Sequence, residues 1–171
     1  MRGSLRVMIL LAISYFLSAC DQQDNSDLNN NHFISVAAQT WPLVNTAVDA
    51  AEELSLQQHL GQWVFINVWA TWCPPCYAEI PDLNRFAMRY APQAVMLGVN
   101  YDNKIAEELL DDIHTMGIGF PVFAANPLPS LGISHVPVLP STIVVNPAGQ
   151  IVGVLEGEQT FADLLKVMGQ G

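Results

Sequence analysis

The sequence is poor in cationic side chains, with 6 Lys and Arg against 16 Asp and Glu and a formal net charge of −10. A surface of that sign repels phosphates, which excludes nucleic acid and anionic lipid headgroups as partners for the body of the protein. Cysteine is equally sparse: Cys20, Cys73 and Cys76 are the whole complement, too few for a framework of stapling disulfides. The histidines, His32, His59, His114 and His135, include no close-spaced pair. A zinc site needs about four ligands, so no metal is expected, and nothing calls for a cofactor. No internal repeat is present, and the apolar run near the start is too short to span a bilayer comfortably.

That run, Val7 to Leu17, follows Arg2 and Arg6 and precedes small residues, the layout of a secretory signal. Leu17-Ser18-Ala19-Cys20 resembles the lipobox of bacterial lipoproteins. The resemblance implies lipidation of Cys20 and a chain anchored to a membrane without crossing it. Residues 1–19 are then signal peptide, and their removal takes away Arg2 and Arg6 and no acid, moving the formal charge from −10 to −12. Residues 20–35 read as a lipid-anchored tether, polar and rich in Asn and Asp, and residues 36–171 as one folded domain.

Within that domain, Trp41-Pro42-Leu43-Val44 has the character of a short edge strand, and Leu54 to Leu60 of a helical turn stopped by Gly61. Trp63 to Trp69 is an almost unbroken apolar run, as in a central strand covered on both faces, with Asn67 its polar exception. From Pro74 to Tyr90 the apolar residues recur at three and four, predicting a helix that Pro81 should kink. Val95 to Val99 predicts a second strand. Lys104 to Met116 predicts a helix capped by Asp102 or Asn103, with Ile105, Leu109 and Ile113 inward and Gly117 as its stop. A short extended piece is expected within Phe120 to Ala125. Ser141 to Val145 and Ile151 to Leu155, joined by Asn146-Pro147-Ala148-Gly149, predict a hairpin, and Phe161 to Met168 a last helix. This order predicts an α/β fold, a central mixed β-sheet flanked by helices on both faces with a short N-terminal strand extension.

Trp72-Cys73-Pro74-Pro75-Cys76 falls where a buried strand hands over to a helix. Cys73 then sits at the helix amino end, beside unpaired N–H groups and the positive end of the dipole, where thiolate is favoured. The prolines suit the first turn, since their missing N–H groups would have had no partner. Cys73 is the candidate to attack a substrate disulfide and Cys76 to resolve the mixed disulfide. Half of a zinc site and a purely structural disulfide are the other uses of such a pair. The first lacks further ligands, and the second closes too short a loop to contribute much.

FINVWATWCPPCYAEIP and VLPSTIVVNPAGQIVG resemble the two signature segments of the TlpA/ResA-type branch of the thioredoxin superfamily, from about Trp41 to Met168. The resemblance implies a thioredoxin-like fold and a thiol–disulfide oxidoreductase. It matches Pro140 to a cis-proline facing the active-site disulfide, so that the Leu139–Pro140 bond would be cis and the backbone there would pair with an extended substrate peptide. The alternative is a proline that merely opens a strand. It likewise assigns Trp72 to the wall of the nucleophile's groove, and Glu79 to the acid that follows the second cysteine. A helical wheel puts Glu79 on the apolar side, where desolvation raises its pKa and makes it a candidate proton shuttle for Cys76. Asn67 departs from general thioredoxins, which carry a buried acid in that strand; an amide transfers no proton, which increases the weight on Glu79.

The resemblance further implies the extracytoplasmic face of a bacterial membrane; in a Gram-negative cell Asp21 after the lipid site resembles a signal for retention at the inner membrane, and in a Gram-positive cell the question disappears. A monomer is expected. Its clients would be disulfides of exported proteins, including apocytochrome c during cytochrome c maturation, and its electrons would come from an integral membrane thiol reductase. A disulfide oxidase or isomerase using the same pair, or a binding or peroxide-handling protein on the same fold, are the competing functions.

Overall fold

The computed structural model describes residues 40–44 and 52–170. The expected signal peptide, tether and domain start, and with them Cys20, lie outside the described residues. Among those described, no helix is long and apolar enough to cross a membrane.

Seven strands form one mixed sheet: β1 (Thr40–Val44), β2 (Glu52–Ser55), β3 (Trp63–Trp69), β4 (Ala94–Asn100), β5 (Val122–Phe123), β6 (Ser141–Val145) and β7 (Ile151–Glu156), in the order β2-β1-β5-β4-β3-β6-β7. β3 is parallel to β4 and β4 to β5, while the remaining pairs are antiparallel. The helices are α1 (Pro74–Tyr90), α2 (Ala106–Met116) and α3 (Phe161–Val167). β3 is central because six of its seven residues are buried, as its apolar run requires.

Period-two alternation divides the core. Phe65, Trp69, Met96 and Val144 meet the buried faces of α1, α2 and α3 in one cluster, where the Phe65 and Phe86 rings pack edge-on at 5.2 Å. Ile66, Val68, Leu97 and Ile143 form the other with Leu128 and Leu131 of the 3-10 turn Leu128–Leu131. The three α-helices therefore contribute to one cluster, whereas 3-10 turns and loop cover the opposite face. Gly98 faces the helical side at its tightest point: a Cβ there would lie 2.9 Å from Val122 Cγ2 and 3.0 Å from Trp69 Nε1. Gly98→Ala is expected to destabilise the fold by about 1–3 kcal/mol through overpacking, read as a lower denaturant midpoint at unchanged slope.

Several local expectations need correction. β1 is not an edge strand; β2 lies outside it, and Leu54 belongs to β2, so the helical turn shrinks to a 3-10 segment, Leu56–His59. Pro81 lies inside α1, the helix expected to carry it. The third helical segment starts at Ala106, and the cap position falls on Ile105, 65% exposed and without a capping side chain, instead of Asp102 or Asn103. The reason is upstream: Asn100 Oδ1 accepts from the Lys104 amide at 3.2 Å and Lys104 Nζ pairs with Asp112 at 2.9 Å, holding 101–105 as a loop. Leu109 and Ile113 are buried and Gly117 ends the helix at φ 70°, as its sequence position requires.

The topology gathers one end of the sheet. Parallel β3 and β4 deliver their carboxyl ends, followed by Cys73 and by Tyr101–Asn103. Antiparallel β6 delivers its amino end, preceded by Leu139 and Pro140, and β7 its carboxyl end, followed by Gly157–Gln159.

Candidate active site

β3 stops at Trp69, and Cys73 closes a turn by donating its amide to Ala70 O at 3.2 Å. Cys73 is then the N-cap of the 17-residue α1, with prolines in the first turn and the Cys76 amide donating to its Sγ at 3.3 Å. Cys73 and Cys76 are joined by a disulfide. Cys76 is fully buried, while Cys73, 3% exposed, contributes to an open groove of about 340 Å³ whose walls include Trp72, Tyr101, His135, Val138 and Leu139. A sulfur at this N-cap feels the helix dipole and a directed N–H, both of which favour its thiolate.

Trp72 is 60% exposed, yet it is held: Nε1 donates to both Asp102 oxygens at 3.1 and 3.0 Å, and its ring meets Tyr101 edge-on at 5.9 Å. Asp102 thus steadies the groove wall instead of capping a helix. The Leu139–Pro140 bond is cis. Leu139 lines the groove and Pro140 is buried behind it, with its carbonyl accepting from the Gly157 amide at 2.8 Å.

Glu79, one turn beyond Cys76, is 1% exposed. Its Oε1 accepts from Asn67 Nδ2 at 2.8 Å and its Oε2 from the Gln159 amide at 3.0 Å. Burial pushes its pKa up to about 7; the two hydrogen bonds oppose the rise and the charge of Glu158 adds to it. Asn67 also donates to Thr142 Oγ1 at 3.0 Å, across the register pair that β3 and β6 form there. The segment after β7 is fastened a third time, by the Phe161 amide donating to Asp82 Oδ2 at 2.8 Å.

The structure therefore brings Cys73, Trp72 and Leu139 to one groove, with Cys76, Glu79 and Pro140 buried behind it. Sequence reasoning missed Tyr101, Asp102, Thr142 and the Gln159 amide. Only the buried position of Asn67, an amide in an apolar strand, signalled that a polar partner must lie opposite.

Residues 36–154 match the AhpC/TSA family. A thiol-disulfide oxidoreductase ResA from Halalkalibacterium halodurans is 30% identical over 121 residues, covering 67% of this chain and 69% of its own. The ResA of Geobacillus kaustophilus is 26% identical over 166 residues, covering 96% of this chain and 90% of that one. Among solved structures, the exposed lipoprotein thioredoxin Etrx1 of Streptococcus pneumoniae superposes with a TM-score of 0.62 at 19% identity, covering 78% of this chain and 100% of its own, a likeness of fold.

Proposed function

Since this chain belongs to the AhpC/TSA family, and to the thiol–disulfide oxidoreductases within it, we propose that Cys73 and Cys76 are its redox pair and that it reduces disulfides of exported proteins. The observation that carries this reading is the placement of Cys73: helix N-cap, open groove, and a second sulfur already bonded to it.

In the reduced protein the Cys73 thiolate attacks one sulfur of a client disulfide. A mixed disulfide forms, and the client's other sulfur leaves as a thiolate that takes up a proton. The Cys76 thiol then gives its proton to the Glu79 carboxylate and attacks Cys73 Sγ. The mixed disulfide breaks, the second client sulfur departs and is protonated, and the Cys73–Cys76 disulfide remains; two electrons have passed to the client. Trp72 and the backbone at Leu139, beside cis Pro140, hold the client peptide as an added strand. Apocytochrome c with oxidised haem-binding cysteines is one client class that the family resemblance supports. An integral membrane thiol reductase would restore the dithiol. Lipidation of Cys20 would keep this domain, residues 36–171, at the extracytoplasmic face of the membrane.

An oxidase or isomerase would use the same atoms, so the direction is set by the potential. Equilibration with a glutathione or dithiothreitol buffer is expected to give a value below about −220 mV; a value near about −120 mV would mean that the protein donates disulfides.

A further inference from the structure

The groove beside Cys73 does not end at Tyr101. Tyr101, His135 and Val136 also wall an adjoining pocket of about 280 Å³, completed on its polar side by Asn103, Asn126 and Ser134. Its hydrogen-bonding capacity is only partly used. Asn103 Nδ2 donates to Tyr101 O at 3.2 Å, leaving its Oδ1, and Asn126 Oδ1 accepts from the Leu128 amide at 3.0 Å, leaving its Nδ2. No hydrogen bond joins the side chains of Ser134 or His135, or the Tyr101 hydroxyl, to any other described residue.

Among the described residues, no carboxylate, lysine or arginine lines this pocket. The acid beside it in sequence, Asp102, is engaged by the Trp72 indole. Its wall is also built in advance. Buried Asn100 holds the Lys104 amide and donates to buried Asp112 at 3.3 Å, and Lys104 closes the set, so the loop carrying Tyr101 and Asn103 is fixed before any ligand arrives.

We propose that this pocket is a second recognition site, which takes an uncharged hydrogen-bonding side chain (Asn, Gln, Ser or Thr) from the client peptide whose cysteine occupies the first groove. The inference rests on the redox reading above and adds sequence selectivity to it. An extended peptide advances about 3.3 Å per residue and presents alternate side chains to one side, so the residue two positions from the attacked cysteine is the one carried into the adjoining pocket. There an amide or hydroxyl exchanges water for the free groups of Asn103, Asn126 and Ser134. A leucine strips those groups of water without replacement, and a lysine finds no carboxylate among the described lining residues to pair with.

The test is single-turnover reduction, by the reduced full-length protein, of mixed disulfides between 2-mercaptoethanol and blocked peptides that differ only in carrying Gln, Leu or Lys two residues before or after the cysteine. Rates are taken as ratios to that with bis(2-hydroxyethyl) disulfide, which is too short to enter the second pocket. In one of the two series the Gln peptide is expected to exceed the others by about three- to tenfold, the worth of about one net hydrogen bond. Asn103→Gly, Asn126→Ala and Ser134→Ala combined, which remove the three binding groups and touch no residue of the first groove, should bring that ratio close to one, with an unchanged far-ultraviolet spectrum showing that the variant is folded. Equal rates for the three peptides, or a preference that persists in the triple variant, overturn the second site. Failure to reduce even bis(2-hydroxyethyl) disulfide removes the redox reading itself, and the site with it.

Discussion

Cys73→Ser is expected to lower the rate of disulfide reduction by at least about a thousandfold, whereas Cys76→Ser keeps the first chemical step and loses the second. The difference follows from where the two sulfurs sit. Cys73 caps α1 and opens onto the groove, so its sulfur is the one a client reaches. A serine oxygen there has the same dipole and the same Cys76 amide available, but it remains protonated at neutral pH and is no nucleophile toward sulfur. Cys76 is completely buried, and its sulfur is bonded to Cys73. Its replacement leaves the mixed disulfide with nothing to resolve it. Incubation of reduced Cys76→Ser with a disulfide-bonded client should therefore accumulate a covalent adduct on non-reducing gels that dithiothreitol dissolves, and mass spectrometry should place the bond on Cys73. Retention of activity by Cys73→Ser, or an adduct on any other residue, would falsify the assignment.

Glu79→Gln should change how both stability and rate depend on pH. The folded protein holds this carboxyl at a pKa of about 7 against an ordinary 4.5, because burial disfavours the charge. Between those values the folded state keeps a proton that the unfolded chain releases. Stability attributable to Glu79 is therefore present below about pH 4.5, falls as pH rises through that window, and is lost above about 7. The total is on the order of 3 kcal/mol, worth about 6–12 °C in Tm for a chain of this size. Glu79→Gln removes that slope. It also sets an amide NH2 against either Asn67 Nδ2 or the Gln159 amide, a pH-independent loss of about 1–3 kcal/mol. The variant is thus less stable than the parent in acid and equals or exceeds it, by up to about 2 kcal/mol, in alkali, which thermal unfolding across a pH series reads directly.

In catalysis, resolution by Cys76 should rise with pH through about 7 in the parent, as Glu79 becomes able to take the thiol proton. In Glu79→Gln that inflection should vanish, and the step should slow on the order of a hundredfold at neutral pH, the usual worth of a positioned base. Parallel profiles for the two proteins would exclude a role for Glu79 in proton transfer.

What was legible in the sequence had a local cause. The run from Trp63 to Trp69 could be satisfied only by a covered strand, and Pro74-Pro75 after Cys73 only by a helix start, so the cysteine pair and its setting followed from neighbours in the chain. Glu79 was readable because a helical period puts it beside Leu83 and Phe86 on the buried face. The grip of Asp102 on Trp72 joins residues 30 apart, and that of the Gln159 amide on Glu79 residues 80 apart; neither leaves a periodic trace. Ile105 misled for a related reason. Its spacing from Leu109 suited an inward face, but the Asn100–Lys104–Asp112 bonds delay the helix and leave Ile105 outside it. The placement of all three α-helices in one core cluster was hidden too, since alternation along a strand shows that two faces are buried but not what buries each.

The stretch from Gly157 to Phe161 is stitched down at three points, to the Pro140 carbonyl, to Glu79 and to Asp82, and every stitch is a main-chain amide. Its side chains are constrained at Gly157 by a φ of 80°, at Thr160 by the cap it gives the last helix and at Phe161 by its contacts with Phe86 and Tyr90, while the three amides fix its spacing. One residue added there would shift the proline, the buried acid and the start of the last helix out of step with one another, though all the cysteine chemistry lies far upstream.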